Sequence, residues 1–363
     1  MKKQNGYLVL ESGQVYTGTW IGFKKEVIFE CVFNTSMFGY TEMLSDPSYF
    51  GQGIVFSYPS IGNYGVDEKD MESAQCWVSA MFCYEFCTKP SNATSKLTLN
   101  DYLLKYKIPG LSGINTREVI TNLRDKGVVK AKLVNDIKNL DKIIKEIKAY
   151  KPLNALDYVP VKKPTVYGNK NKYNIALYDF GVKMNIVREL LKRNCKVTLF
   201  PPTASYEEMM KIKPDGFLIS NGPCDPKDNV YQVAQIKKMI DKDIPMFGIC
   251  LGHQMIGLAA GFDTKKLKYG HRGSNHPCQY VDGKCYLTSQ NHGYYVDNKT
   301  VDKKKVTISF TNTNDDSVEG MIFKNKKFIE TAQFHPEACA GPNDTNFLFD
   351  NFINALKKKG AKK

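Results

Sequence analysis

The sequence predicts an α/β protein in two parts: a separate N-terminal α/β domain rich in strands, then a C-terminal doubly wound, mostly parallel sheet. Three observations predict it. Beyond residue 172, short apolar runs alternate with helical patterns at the spacing of βαβ units. Residues 1–150 instead carry short β-like runs broken by glycine- and proline-bearing turns. Between them, residues 151–172 read KPLNALDYVPVKKPTVYGNKNK, whose three prolines, Gly-Asn pair and many lysines mark an interdomain linker. The expected divisions are therefore 1–150, 151–172 and 173–363.

In the first part, 7–10, 27–33 and 54–58 are the β-like runs. Helical stretches follow near 99–107 and 116–126, and 136–149 is a lysine-heavy amphipathic helix with a wet face. In the second part, strands at 174–178, 196–200, 216–220 and 246–249 alternate with helices at 185–193, 206–212, 230–241 and 252–260. After residue 264 the pattern becomes more strand-like. It ends in a strand at 328–334 and a helix at 347–357, with the lysine-rich tail 357–363 as a frayed helix end. In such a sheet, reactive groups belong at the carboxyl ends of strands. The sequence puts Asn221-Gly222-Pro223-Cys224, Cys250 and His335 there.

Composition narrows the function. With 363 residues, 42% of them hydrophobic and 24% charged, the chain can bury two cores as an ordinary soluble protein. The start MKKQNGYLVLESG has no apolar core of signal-peptide length, and no run of residues is long and apolar enough for a membrane span. A cytoplasmic protein is expected. Its ten scattered cysteines then read as reduced thiols. Cys83-x-x-x-Cys87 and His276-x-Cys278 each lack a matching second pair, so no metal site is expected. The net charge of +14 does not signal nucleic-acid binding, because only five arginines occur and the lysines are dispersed. No internal repeat is present.

The chemistry concentrates late. All five histidines (253, 271, 276, 292 and 335) lie beyond residue 252, so acid–base work near neutral pH belongs to the C-terminal half. There, FGICLGHQ (247–254) spells a strand, a sharp turn and a helix, with Cys250 flanked by Gly248 and Gly252. This is the cysteine counterpart of a nucleophile elbow, whose strained turn needs small neighbours. An anionic sulfur there would also meet the positive end of the helix dipole. Alone, the turn could as well be a tight connection around a buried thiol, and a lone His-Pro-Glu could be only a turn. Together they suit covalent acyl transfer from an amide. Cys250 would attack the carbonyl, His335 would move the proton, and Glu337 would hold the imidazole. Backbone amides of Leu251 and Gly222 could receive the oxyanion.

FGICLGHQ with His335-Pro336-Glu337 resembles the signature of triad-type (class I) glutamine amidotransferases. Four further segments, FNTSMFGY (33–40), DPSY (46–49), YDFGVKMN (178–185) and QNHGY (290–294), resemble more narrowly the small, glutaminase subunit of carbamoyl-phosphate synthetase. The resemblance covers essentially the whole chain. It implies a C-terminal fold of class I amidotransferase type, and hydrolysis of L-glutamine to glutamate and ammonia. The ammonia would pass through a tunnel to a large subunit that uses bicarbonate, ATP and Mg2+; this chain would need no cofactor of its own. It also implies Cys250, His335 and Glu337 as catalytic, and Ser48, Gly222, Cys224, Leu251, Gln254, Asn291, Gly293 and Tyr294 as glutamine-binding. The subunits would form at least a heterodimer, supplying pyrimidine and arginine synthesis. The rivals are an independent amidase, a glutaminase serving another synthetase, and a non-catalytic paralogue, whose broken triad is not seen.

One departure stands out. The family pattern Ser-Asn-Gly-Pro-Gly-Asp-Pro here has Cys224 in place of its second glycine. The expectation is a negative φ with the thiol turned aside; a sharper one is a reversible disulfide between Cys224 and Cys250. His253, His271 and His276 are expected to be structural, and His292 to shape the substrate loop.

Overall fold

The computed structural model of the chain describes residues 4–360. These form two compact units dividing between Leu153 and Asn154. The first unit has strands β1 (Asn5–Leu10), β2 (Val15–Gly22), β3 (Val27–Asn34), β4 (Gln52–Phe56), β5 (Ser60–Ile61), β6 (Ala80–Cys83), β7 (Glu85–Phe86), β8 (Pro109–Ser112) and β9 (Val129–Val134). Seven of them close a barrel in the order β1-β2-β8-β6-β4-β3-β9, while β5 and β7 pair separately. Closure comes from β9, antiparallel to both β3 and β1, and it leaves no unpaired edge.

Alternation along the strands divides the side chains between two faces. Leu8, Leu10, Phe29, Cys31, Ala131 and Leu133 enter one buried cluster, with Val119 and Leu123 of helix α3 (Thr116–Lys126). Val9 and Val134 face the other way, onto Ile143 and Ile147 of α4 (Leu140–Ala149). The short helices α1 (Tyr40–Ser45) and α2 (Leu99–Lys105) pack with Ile21, Val32, Ile54 and Met81.

The second unit is a ten-stranded sheet. Its strands are β10 (Thr165–Tyr167), β11 (Tyr173–Tyr178), β12 (Cys195–Phe200), β13 (Gly216–Ile219), β14 (Met246–Ile249), β15 (Thr264–Tyr280), β16 (Cys285–Val296), β17 (Val306–Asn312), β18 (Val318–Phe323) and β19 (Ile329–Ala332). The order is β10-β12-β11-β13-β14-β19-β18-β16-β15-β17. Strands β12-β11-β13-β14-β19 are parallel, and the remaining neighbours are antiparallel. Helices α5 (Met184–Lys192) and α9 (Phe347–Gly360) cover one face, and α6 (Tyr206–Met210), α7 (Val230–Asp241) and α8 (Leu251–Ala259) the other. Ala176 and Tyr178 of β11 pack on the α7–α8 side, and Ile175 and Leu177 on the α5–α9 side. This is the doubly wound arrangement.

Two features differ from the sequence reading. The segment read as a linker is partly built into the second unit: β10 pairs antiparallel with β12, and the Val161 amide donates to Asp179 Oδ2 at 2.8 Å. A three-residue edge strand with Val166 exposed leaves almost no hydrophobic pattern to read. The helix at 347–357 runs on to Gly360, and the rest of the lysine tail lies outside the described residues.

Helix α8 crosses β13 so closely that a Cβ on Gly252 would sit 2.2 Å from the Ile219 carbonyl oxygen. A backbone atom inside a sheet cannot move aside. Gly252→Ala should therefore destabilise the chain by about 2 kcal/mol or more in denaturant unfolding. A cost near zero would contradict this packing.

Candidate active site

Strand β14 ends at Ile249, and α8 begins at Leu251. The single residue between them, Cys250, has φ 53° and ψ −105°, a conformation that costs a non-glycine residue about 1–3 kcal/mol. The turn tolerates it because Gly248 and Gly252, two residues away on either side, have no side chains. A Cβ on Gly248 would meet Ile256 Cδ1 at 2.4 Å, and Gly252 lies against β13. The Cys250 amide continues the β14–β19 ladder by donating to Ala332 O at 2.8 Å. Its thiol is buried and points to the Asn291 carbonyl, 3.7 Å away.

The second part of the site follows β19. The His335 amide donates to Ser289 O at 2.8 Å, and its Nδ1 lies 2.6 Å from Glu337 Oε1. A carboxylate at Nδ1 holds the proton on that nitrogen and leaves Nε2 for chemistry. Nε2 is buried with no hydrogen-bond partner among the described residues, and the Cys250 thiol favours the imidazolium less than Glu337 does. Burial works against the imidazolium, but Glu337 and Cys250 outweigh it, and the pKa of His335 is pushed up to about 10.

Glu337 is fully buried and is held by more than histidine. Lys183 Nζ lies 3.1 Å from its Oε1 and donates to Ala338 O at 2.6 Å; Asn185 Nδ2 donates to Glu337 O at 2.5 Å. Burial alone would raise this carboxyl, yet Lys183 and then His335 hold it down to about 2. Sequence reasoning gave Lys183 and Asn185 no role. Their only signal was the segment YDFGVKMN, which follows β11 and turns inward over the strand ends. Asn221 Oδ1, at the end of β13, accepts from the Lys183 amide at 3.0 Å and fixes that turn.

The other expected residues fall in two places. Gly222, Cys224, Leu251, Gln254, Asn291, Gly293 and Tyr294 all belong to the second unit. Gly222 lies so close to Phe180 O that a Cβ would approach within 2.3 Å. Among the described residues, the Gly222 and Leu251 amides have no acceptor, as an oxyanion site requires. Gln254 Nε2 donates to Tyr294 O at 2.7 Å. At Gly293 a Cβ would meet only Arg272 Nη2, at 3.5 Å. Ser48 belongs to the first unit. It is buried within a short 3-10 turn, Pro47–Tyr49, whose cap is Asp46, accepting the Ser48 amide at 2.8 Å.

Cys224 corrects an expectation. Its φ is +131°, not negative, at a cost of about 1–2 kcal/mol that glycine would avoid. The strand exit through Gly222 on one side and the Asp225-capped turn Pro226–Asp228 on the other leave residue 224 to absorb the reversal. The thiol is indeed turned aside, toward the Leu156 and Ala155 amides. Burial first, and Asp228 next, push its pKa up to about 12. Both Cys224 and Cys250 are free thiols.

His253, His271 and His292 are buried in a polar layer, and His276 is half-buried. His253 Nδ1 bonds Thr331 Oγ1 at 2.8 Å, and burial lowers its pKa to about 3. His292 Nδ1 meets Tyr294 O at 2.8 Å. Among the described residues, His271, His292 and Glu319 place potential metal-ligating atoms within 4.8 Å of one another, but the Gln290 side chain contacts all three. His271 Nε2 also lies 2.9 Å from Asp315 Oδ2. Burial opposes its charge, yet Asp315 and Glu319 raise its pKa to about 9. His271 thus binds its proton more tightly folded than unfolded. Its contribution is complete below pH 6.5 and is lost as pH rises through about 9. Unfolding free energy should fall over that window by on the order of 2 kcal/mol more in the parent than in His271→Asn. Equal slopes in denaturant titrations would detach this cluster from the effect.

Two family models and several full-length relatives match the sequence of the chain. The family model for the carbamoyl-phosphate synthase small chain, CPSase domain, matches residues 8–133, and that for glutamine amidotransferase class-I matches residues 176–355. A carbamoyl phosphate synthase small chain from Bacillus cereus is 44% identical, over 99% of this chain and 98% of its own. One from Fusobacterium nucleatum is 44% identical over 97% and 98%, and one from Clostridium perfringens 43% over 95% and 98%. A solved glutamine amidotransferase from Thermotoga maritima, 19% identical, aligns with 52% of this chain and 85% of its own at a TM-score of 0.38. On the full-length matches, the chain belongs to the carbamoyl phosphate synthase small chain family, with a class-I glutamine amidotransferase domain.

Proposed function

We propose that this chain hydrolyses L-glutamine through a cysteinyl thioester and delivers the ammonia to a carbamoyl-phosphate synthetase large subunit. The observation that supports it best is the buried chain Lys183–Glu337–His335, which ends at the Cys250 thiol. Cys250 Sγ attacks the carboxamide carbon with its proton already held at His335 Nε2, as the raised proton affinity of that imidazole favours. The oxyanion lies against the Leu251 and Gly222 amides. His335 then gives the proton to the departing nitrogen, releasing ammonia and leaving the γ-glutamyl thioester. Water, deprotonated by Nε2, adds to the thioester; glutamate leaves and the thiol regains its proton. Gln254, Asn291, Gly293 and Tyr294 hold the substrate, beside Gly222 and Cys224.

The large subunit would join the ammonia to bicarbonate with ATP and Mg2+, in a heterodimer serving pyrimidine and arginine synthesis. Among the described residues, no helix is long and apolar enough to cross a membrane; we place the complex in the cytoplasm.

Glutamate release from glutamine by the purified chain, with and without a large subunit, tests the proposal. Slow release that rises with the partner and falls at least ~10³-fold in Cys250→Ser is expected. Brisk turnover indifferent to the partner would instead mark an independent amidase, and an active Cys250→Ser would remove the thioester.

A further inference from the structure

Gln333 lies two residues before His335 and is completely buried. Its backbone amide donates to Glu319 O at 2.8 Å. Its side-chain Oε1 accepts from Gln254 Nε2 at 3.0 Å, while its own Nε2 has no hydrogen-bond partner among the described residues. A buried amide left half unsatisfied costs about 1–3 kcal/mol, which an apolar side chain of the same length would avoid. Such a group calls for a reason other than stability.

The orientation of both amides follows from one backbone atom. Tyr294 O can only accept, so the Gln254 atom 2.7 Å from it must be the NH2 group. That nitrogen has two hydrogens. One goes to Tyr294 O, and the other meets Gln333 at 3.0 Å, so the Gln333 atom there must be its oxygen. Turning either amide over would face donor to donor or acceptor to acceptor. Both Gln254 hydrogens are thus committed to the protein. Its Oε1 makes no hydrogen bond among the described residues, although Gln254 stands one helical turn after Cys250.

We infer that Gln333 is a positioning residue: it locks the Gln254 amide so that only Oε1, a pure acceptor, is offered to the substrate. This rests on the glutaminase reading and deepens it. A site built this way recognises an N–H donor, and glutamine has two, the α-ammonium and the carboxamide. A carboxylate oxygen presented to Gln254 Oε1 would be repelled, which favours glutamine over its own product where the carboxamide is the donor. Without Gln333 the Gln254 amide is held by Tyr294 O alone, and rotation can present its NH2 to the cavity instead.

The test uses Gln333→Met in the full chain, which keeps length and removes the acceptor. The KM for glutamine should rise roughly five- to thirty-fold, the equivalent of one hydrogen bond, with kcat changed much less. Alkylation of Cys250 by iodoacetamide should keep its parent rate, showing an intact elbow. Two analogues identify the donor. Glutamate γ-methyl ester has no carboxamide N–H, and 4-carbamoylbutanoate has no α-ammonium; the analogue whose KM the substitution leaves unchanged lacks the donor that Gln254 reads. An unchanged KM for glutamine overturns the inference. So does an equal rise for all three substrates, or slowed alkylation, since either means a reshaped cavity. The Gln254 side-chain amide 15N–1H signals decide the locking without turnover: two distinct, hydrogen-bonded protons in the parent should become exchange-broadened in the variant. Identical spectra would overturn the inference, whereas a parent chain inert toward glutamine would overturn the glutaminase reading instead.

Discussion

A single buried carboxylate organises this site. Glu337 has no solvent exposure, and a lone carboxylate so placed would carry a desolvation penalty of several kcal/mol. Lys183 and His335 offset that penalty, both at Oε1. In doing so they tie together segments far apart in sequence: the turn after β11 and the start of α5, which supply Lys183 and Asn185, and the turn after β19, which supplies His335 and Ala338. The charge sequence ammonium, carboxylate, imidazole then ends at a thiol. Removing the middle member would leave Lys183 without its buried counter-charge and take from His335 the main support for its proton.

The sheet makes that arrangement possible. Strands β13, β14 and β19 are parallel neighbours at its centre, so their carboxyl ends open on one side. Asn221, Cys250 and the segment leading to His335 all emerge there. The strained backbone at Cys250 is sustained by glycine-permitted contacts with α8 and β13, packed too tightly to relax. The antiparallel half then contributes β16, whose Asn291 carbonyl meets the Cys250 thiol and whose Ser289 carbonyl anchors His335. The parallel half positions nucleophile and charge, and the antiparallel half covers them.

Much of this was legible in the residues, and the rest was hidden for physical reasons. The βαβ alternation and the Gly248-Cys250-Gly252 turn are local patterns, and each matches an observed element within a residue or two. Barrel closure depends on β1 meeting β9, more than a hundred residues apart, and no local signal encodes such a pairing. Lys183 reads as an ordinary surface lysine until the Asn221 side chain turns its segment inward. Glycine in the related pattern at residue 224 pointed to a demanding backbone, but a cysteine there invited the wrong sign of φ. Gln333 and Glu319 lie in strand-like text where burial of a polar group shows only once the neighbours are placed.

The most direct test of the central claim, that Cys250 is acylated under the control of His335 and Glu337, is acid quench of the chain with glutamine followed by peptide mass spectrometry. A glutamyl adduct on the peptide containing Cys250 is predicted, formed from glutamine and absent when Glu337→Ala is treated for the same short time. An adduct on another cysteine, or glutamate release with no adduct on any of them at any quench time, would contradict it.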